Sequence, residues 1–504
     1  MNRLKKYNSF IILVIILLPI FCIYSYAYVT APGGEVSNAE DFVTAFGGDE
    51  AVYADGNTII FRSDVSVETP ITIKSGEYTL QGSGCYIWSL SPIILDGDDV
   101  VLTLGNDRGS DDHPSLTFSG LGTYNMSDNH GIEVNNGTLN IYTGTLIHEF
   151  ANSPFHMTNG TINMIGGVIR DNTAENGGAF YIENGELNII QGLITECNAV
   201  NGGAIFSENG KITLISPEMS YTKAETDGGI LYMAGGEVLI NNGLYQYSEA
   251  QLGGAICNTG GILNIAGGAY VYNKAVLGGV IYNWGEMLML NPATVLTFNE
   301  ATEGAAVYNN GKFVLQDAQI TYNKASSSAG GVLNGGQFIM NGGSISMNES
   351  AKFAGGIVNL DGIFEMYDGS VSSNKAAEYA QGIYHSGNMI LGEHCFISFN
   401  NDVYVTNGAT VEVVSDLTAN TPVATLTLEN GYVKGTQIVT GHESMAEKIA
   451  ITGDGKGTWS LDTEGKLQFE RTPLSLPYQI VIVISAAAVI IIVVIISVRT
   501  KKKR

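Results

Sequence analysis

The sequence predicts an all-β right-handed parallel β-helix with three short strands per coil. Three features of the chain carry that prediction: a glycine-rich strand start recurring every 25 or 26 residues, an apolar alternation in register with it, and an asparagine closing the period. The strand start reads Gly177-Gly178-Ala179-Phe180, Gly202-Gly203-Ala204-Ile205, Gly228-Gly229-Ile230-Leu231, Gly253-Gly254-Ala255-Ile256 and Gly278-Gly279-Val280-Ile281. It continues less strictly through Gly304-Ala305-Ala306-Val307, Gly330-Gly331-Val332 and Gly355-Gly356-Ile357 to Gln381-Gly382-Ile383. The second segment alternates with period two, as at Leu187 and Ile189, Ile212 and Leu214, Leu263 and Ile265, or Phe338 and Met340. Such alternation marks a strand with one buried face. A third segment ends in asparagine at Asn172, Asn273, Asn299, Asn323, Asn348, Asn374 and Asn400, and a further asparagine column runs through Asn258, Asn283, Asn309, Asn334 and Asn359. Asparagine tolerates the left-handed turn conformation, and its amide can bond the identical amide one coil away, so both columns read as structural ladders.

No coil of this kind can bury its apolar face alone, so the array folds as a stack. At about 4.8 Å per coil, roughly 14 coils between residues 50 and 410 give a rod on the order of 70 Å. The left-handed hexapeptide helix has a shorter coil, and the leucine-rich consensus does not occur.

The ends set the domain order. Arg3, Lys5 and Lys6 precede an apolar run from Phe10 to Ile23 and the small residues Ser25 and Ala27, which predicts a signal peptide over 1–27. Residues 476–498 are apolar enough to span a membrane as a helix, and the basic tail 499–504 places the C-terminus in the cytoplasm. Between them the reading gives an N-terminal cap and irregular early coils (28–130), regular repeats (131–401), and a closing coil or small β-domain with a stalk (402–470). Ser37 is expected to cap a short helix from Asn38 to Phe46, and 109–114 to form an acidic loop. The protein is thus expected to be a single-pass protein of the cell membrane, with the bulk of the chain outside the cell.

Setting aside three basic residues in the leader and five in the tail leaves 16 against 49 acidic residues, a formal charge of −33. That excludes nucleic acid as a partner. Four cysteines remain, at 85, 197, 257 and 395, in no disulfide or zinc spacing. Sequons stand at Asn125, Asn136, Asn159 and Asn348.

The Gly-Gly-Ala-Ile start with spaced asparagines resembles the repeats of chlamydial polymorphic outer-membrane proteins and, more broadly, the pectate-lyase-like β-helix superfamily of adhesin-like surface proteins. The resemblance covers about 168–400. It departs in two ways: the Phe of the family's Phe-x-x-Asn is Ile, Tyr, Leu or Val here, and a transmembrane helix stands in place of the autotransporter barrel. The resemblance implies attachment to cells or matrix.

An enzyme of this superfamily would need converging acidic residues with calcium and a base, or paired carboxylates on adjacent coils. Glu183 and Glu208 recur in turns but have no counterpart at Ala234, and strand alternation should turn Glu149, Glu393 and Cys395 away from the neighbouring histidines His148 and His394. The expectation is therefore a non-catalytic protein with no cofactor and no metal, acting in adhesion or cell-envelope interaction with a glycan or protein ligand. A polysaccharide-active enzyme and a passive spacer are the alternatives. The candidate binding residues form one aromatic column, Tyr181, Phe206, Tyr232, Tyr282, Tyr308 and Tyr384, one residue past the inward aliphatic of the first strand. Alternation points it outward, beside a strip of small residues at Ala179, Ala204, Ala255, Ala306 and Gly331, where it would stack on sugar rings or dock a partner.

Overall fold

A computed structural model describes residues 28–82, 84–106, 115–120, 130–419, 422–430 and 432–471. The predicted signal peptide, the acidic loop at 109–114, and the membrane span with its tail lie outside the described residues. Among the described residues no helix is long and apolar enough to cross a membrane. The protein is an all-β, right-handed-type parallel solenoid of about 15 turns with 3% helix. It divides into two compact units, one through Lys312 and one from Phe313.

In the first unit Tyr28–Ala31 and Gly34–Val36 pair in parallel with Asp64–Val67 and Ile71–Ile73, so coil formation begins at the first described residue. The helix spans Ala39–Ala45, and its N-cap is Asn38, one residue later than expected. The Asn38 carboxamide oxygen accepts from the Glu40 and Asp41 N–H groups at 2.9 and 3.0 Å, while Ser37 takes part through its backbone N–H, which donates to the Asp41 carboxylate. The helix buries Phe42 and Phe46 against Tyr78 and Phe61.

A regular coil is represented by Phe180–Ile182, Glu186–Ile189, Leu193–Thr195 and Asn198–Asn201, each parallel to its equivalent one coil on. Such coils thus hold four short strands, where three were expected. The fourth escaped detection because Ala199 is its only buried side chain, too weak an alternation to read. The core is a set of inward stacks: Phe180, Ile182, Leu187, Ile189 and Ile194 are all fully buried.

The second unit repeats this plan, with Gln337–Ser346 and Ile363–Ser372 running through two sides as single ten-residue strands. Residues 402–451 continue the coils: Val403–Val405, Ala424–Leu428 and Ile449–Ile451 stack in parallel. An antiparallel hairpin, Gly457–Leu461 with Leu467–Arg471, follows.

The paired glycines have separate causes. The first takes positive φ, 59° to 67° at Gly177, Gly202, Gly228, Gly253, Gly278 and Gly304. The second packs against the next coil, where a Cβ on Gly178, Gly203, Gly229 or Gly254 would overlap the carbonyl oxygen of the following glycine. In the second unit the positive-φ place is held by Ala329, Ala354 and Ala380. This corner also corrects the small-residue strip: Ala179, Ala204, Ala255 and Ala306 are fully buried inside the bend, not on the outer surface.

Both asparagine ladders form, buried throughout. In the first column the Asn258 amide donates to Asn283 and Asn283 to Asn309, at 2.9 and 2.8 Å, and in the second unit Asn334 donates to Asn359 at 2.8 Å. In the other, Asn348 bonds Asn374 and Asn374 bonds Asn401 through both N–H and side-chain amide. The final rung is Asn401 where Asn400 was expected, because the Ser398–Asn400 turn is one residue longer; Asn400 is exposed. Asn348, fully buried in this ladder, presents no sequon surface.

Gly254→Ala should destabilise the first unit by about 1–3 kcal/mol through overpacking. Ala354→Gly should instead raise the stability of the second unit by up to about 1 kcal/mol by relieving its positive φ. Chemical denaturation of the two variants reads both effects, and an unchanged midpoint for Gly254→Ala would show that the corner contact does not set the coil spacing.

Candidate functional site

The predicted aromatic residues stand on the outer side of the first strand, each half-buried. In the first unit His156, Tyr181, Phe206 and Tyr232 lie on successive coils, with Phe206 and Tyr232 stacked at 5.0 Å and 12°. After the buried Cys257 the column resumes with Tyr282 and Tyr308 at 5.3 Å and 20°. In the second unit Leu333 and Val358 occupy the place, buried, before Tyr384 stacks on Tyr404 at 5.6 Å and 11°. Rings stacked this way cover each other's faces, so an interior rung offers its edge and hydroxyl outward and an end rung offers a flat face.

A second aromatic column went unread in the sequence. Tyr221, Tyr247, Tyr272 and Phe298 stack at 5.0, 5.2 and 5.5 Å and are 56, 40, 48 and 45% exposed. Each sits at φ between 53° and 58°. Strand alternation would put Tyr272 on the same face as Tyr270, which is fully buried; the left-handed residue breaks the alternation and turns Tyr272 out. The available signal was an aromatic recurring immediately before the ladder position, as in Tyr272-Asn273 and Phe298-Asn299. Two residues beyond these aromatics runs a column of alternating charge, with Lys223–Glu249 and Lys274–Glu300 ion pairs at 3.7 Å. Alternation down the stack sets opposite charges on adjacent coils.

The structure also gathers titratable groups that the sequence left scattered. His156 Nε2 lies 2.9 Å from Glu183 Oε1, the His130 ring stands 4.5 Å from that of His156, and the Tyr181 hydroxyl donates to Glu208 at 2.8 Å. Burial and then the Glu208 bond push Tyr181 up to about 12. Glu149 does not face away from His148: its φ of 60° brings its carboxylate to 3.6 Å from the ring. Glu393 likewise approaches His394 at 3.6 Å. The four described cysteines are free and buried, and desolvation pushes Cys197 and Cys395 up to about 12, which keeps them as unreactive thiols.

Compared with known family models, curated proteins and solved structures, the chain matches none of them.

Three histidines link the fold to pH. Burial lowers His130, His148 and His385 below the ordinary imidazole value. His385 takes the rung after Asn359: its Nδ1 faces the Asn359 amide at 3.4 Å and its Nε2 the Thr410 carbonyl at 3.1 Å. Protonation would therefore set two donors against each other. With folded values depressed, the unfolded chain binds more protons, so stability is full above about pH 6.5 and falls as pH drops through the depressed values. The melting temperature should decline from pH 7.5 to 5.0, and His385→Asn, which restores an amide rung, should reduce that decline. Identical declines in parent and variant would show that His385 does not resist protonation.

Proposed function

We propose that this protein is a non-catalytic, membrane-anchored surface solenoid that attaches to glycan or protein through its outward aromatic columns. The carrying observation is the exposed Tyr221, Tyr247, Tyr272 and Phe298 column. Four aromatics hold a left-handed backbone that asparagine or glycine adopts at less cost, and they contribute no core burial in return. The same turn is left-handed at Asp171, Glu196 and Ser373, so it does not itself call for aromatics, and a registered apolar strip there fits a docking role. The predicted leader, span and basic tail support the surface anchor, and the resemblance of the repeat to chlamydial polymorphic outer-membrane proteins supports attachment. Cells displaying the full chain should adhere to at least one member of a panel of immobilised glycans and matrix proteins. Changing Tyr221, Tyr247, Tyr272 and Phe298 together to Asn should cut that adhesion by about tenfold or more with an unchanged or higher melting temperature. Unchanged adhesion would leave the column structural, and no adhesion by the parent would favour the passive spacer.

One observation favours a second reading, a polysaccharide-active enzyme: the His156–Glu183 contact lies beside the Tyr181–Glu208 hydrogen bond on the outer face. A polysaccharide turned over by the parent and not by Glu183→Gln would replace the non-catalytic reading. Absence of turnover across neutral and acidic polysaccharides would retire the enzyme.

A further inference from the structure

The aromatic column of the second unit ends in a step. Tyr384 pairs with Tyr404, and Tyr404 pairs in turn with Thr427. Tyr384 covers one face of the Tyr404 ring, but the following rung is a threonine, too small to cover the other. Beyond it comes Thr452, whose hydroxyl lies 3.0 Å from that of Thr427. The step opens a cleft of about 650 Å³ lined by Tyr404, Thr425, Thr427 and Thr452, and also by the exposed rings of Phe399 and of Tyr379, which meets Tyr404 edge-on at 5.6 Å. That volume lies within the range of small-ligand sites, ~300–1,000 Å³.

A second observation points to a ligand. Thr425 is only 7% exposed, lines the cleft, and its hydroxyl has no hydrogen-bond partner. Its equivalent on the next coil is Ala450, which offers no side-chain polar group. A buried, unpartnered hydroxyl at the wall of a cleft is a group that a ligand can satisfy. Asp402 is positioned nearby, its carboxylate accepting the Gln381 N–H at 2.8 Å, and Glu378 also lines the cleft. No lysine, arginine or histidine stands among the described lining residues.

We propose that this cleft binds a neutral pyranose unit of an oligosaccharide. The inference rests on the attachment reading and supplies it with a ligand class and a place. The polarised C–H bonds of a pyranose face meet the electron-rich open face of Tyr404. Its ring hydroxyls reach Thr427 and Thr452, with the two carboxylates as acceptors, and a turn of the Thr425 side chain brings its buried hydroxyl to the ligand. The same carboxylates select against uronates and sulfated sugars.

The test uses detergent-solubilised full chain on an array of neutral hexose and N-acetylhexosamine oligosaccharides, with polygalacturonate as the acidic probe. At least one neutral oligosaccharide should bind and polygalacturonate should not. Tyr404→Ser should weaken binding by about tenfold or more, and Tyr404→Phe, which keeps the ring, should retain it. Thr425→Val is nearly isosteric and should weaken binding without lowering the melting temperature. Neutral-sugar binding that survives both Tyr404→Ser and Thr425→Val, preference for polygalacturonate, or no neutral binding by the parent would each overturn the subsite. If cells still adhere through the Tyr221–Phe298 column in any of those cases, the attachment reading stands and only the cleft fails.

Discussion

The seating of each corner glycine against the carbonyl of the next coil is the contact on which the side-chain columns depend. Gly178 against Gly203, Gly203 against Gly229 and Gly229 against Gly254 leave no room for a Cβ, so the coils approach as closely there as backbone permits. With that approach fixed, Phe180 falls beside Ile205, Leu187 beside Ile212 and Ile194 beside Met219, and each apolar stack closes. A slip of one residue would turn every inward side chain outward. The periodic charges add a milder constraint, because Lys223–Glu249 and Lys274–Glu300 pair only when neighbouring coils are in order.

Interior polarity follows from the same spacing. Asparagines at the turns would carry unpaired amides if buried singly, yet Asn258, Asn283 and Asn309 satisfy one another because each coil repeats the last. The amide also serves the local turn, as where Asn258 accepts the Gly261 N–H at 2.9 Å. Where an asparagine is replaced, as by His385, the ladder acquires a titratable rung, and the cost of protonating it is that of setting donor against donor.

The outer surface obeys different rules from the core. Stacked rings such as Phe206 and Tyr232 reduce one another's exposure, so a long aromatic column is partly a self-contained stack with little free ring face. A flat face becomes available only where a column stops, and at Tyr404 it stops against Thr427. That termination borders the cleft lined by Thr427 and Thr452.

Period, strand start and alternation were sufficient to derive the parallel solenoid and its inward stacks from sequence, because each depends on contacts between residues 25 or 26 positions apart in a regular array. They also located the outward column of Tyr181, Phe206, Tyr232, Tyr282, Tyr308 and Tyr384. Alternation holds only while φ stays negative, and so it failed at Tyr272, Phe298 and Glu149, where a left-handed residue reverses the face. It failed at Ala179 for a related reason, since the glycine corner bends the chain inward before the strand begins. Which side chains meet across unequal turns, His156 with Glu183 or Asn374 with Asn401, depends on turn lengths that vary by a residue from coil to coil. The open face of Tyr404 and the unpartnered Thr425 hydroxyl exist because of what the next coil lacks, and only the tertiary stack brings that missing neighbour into view.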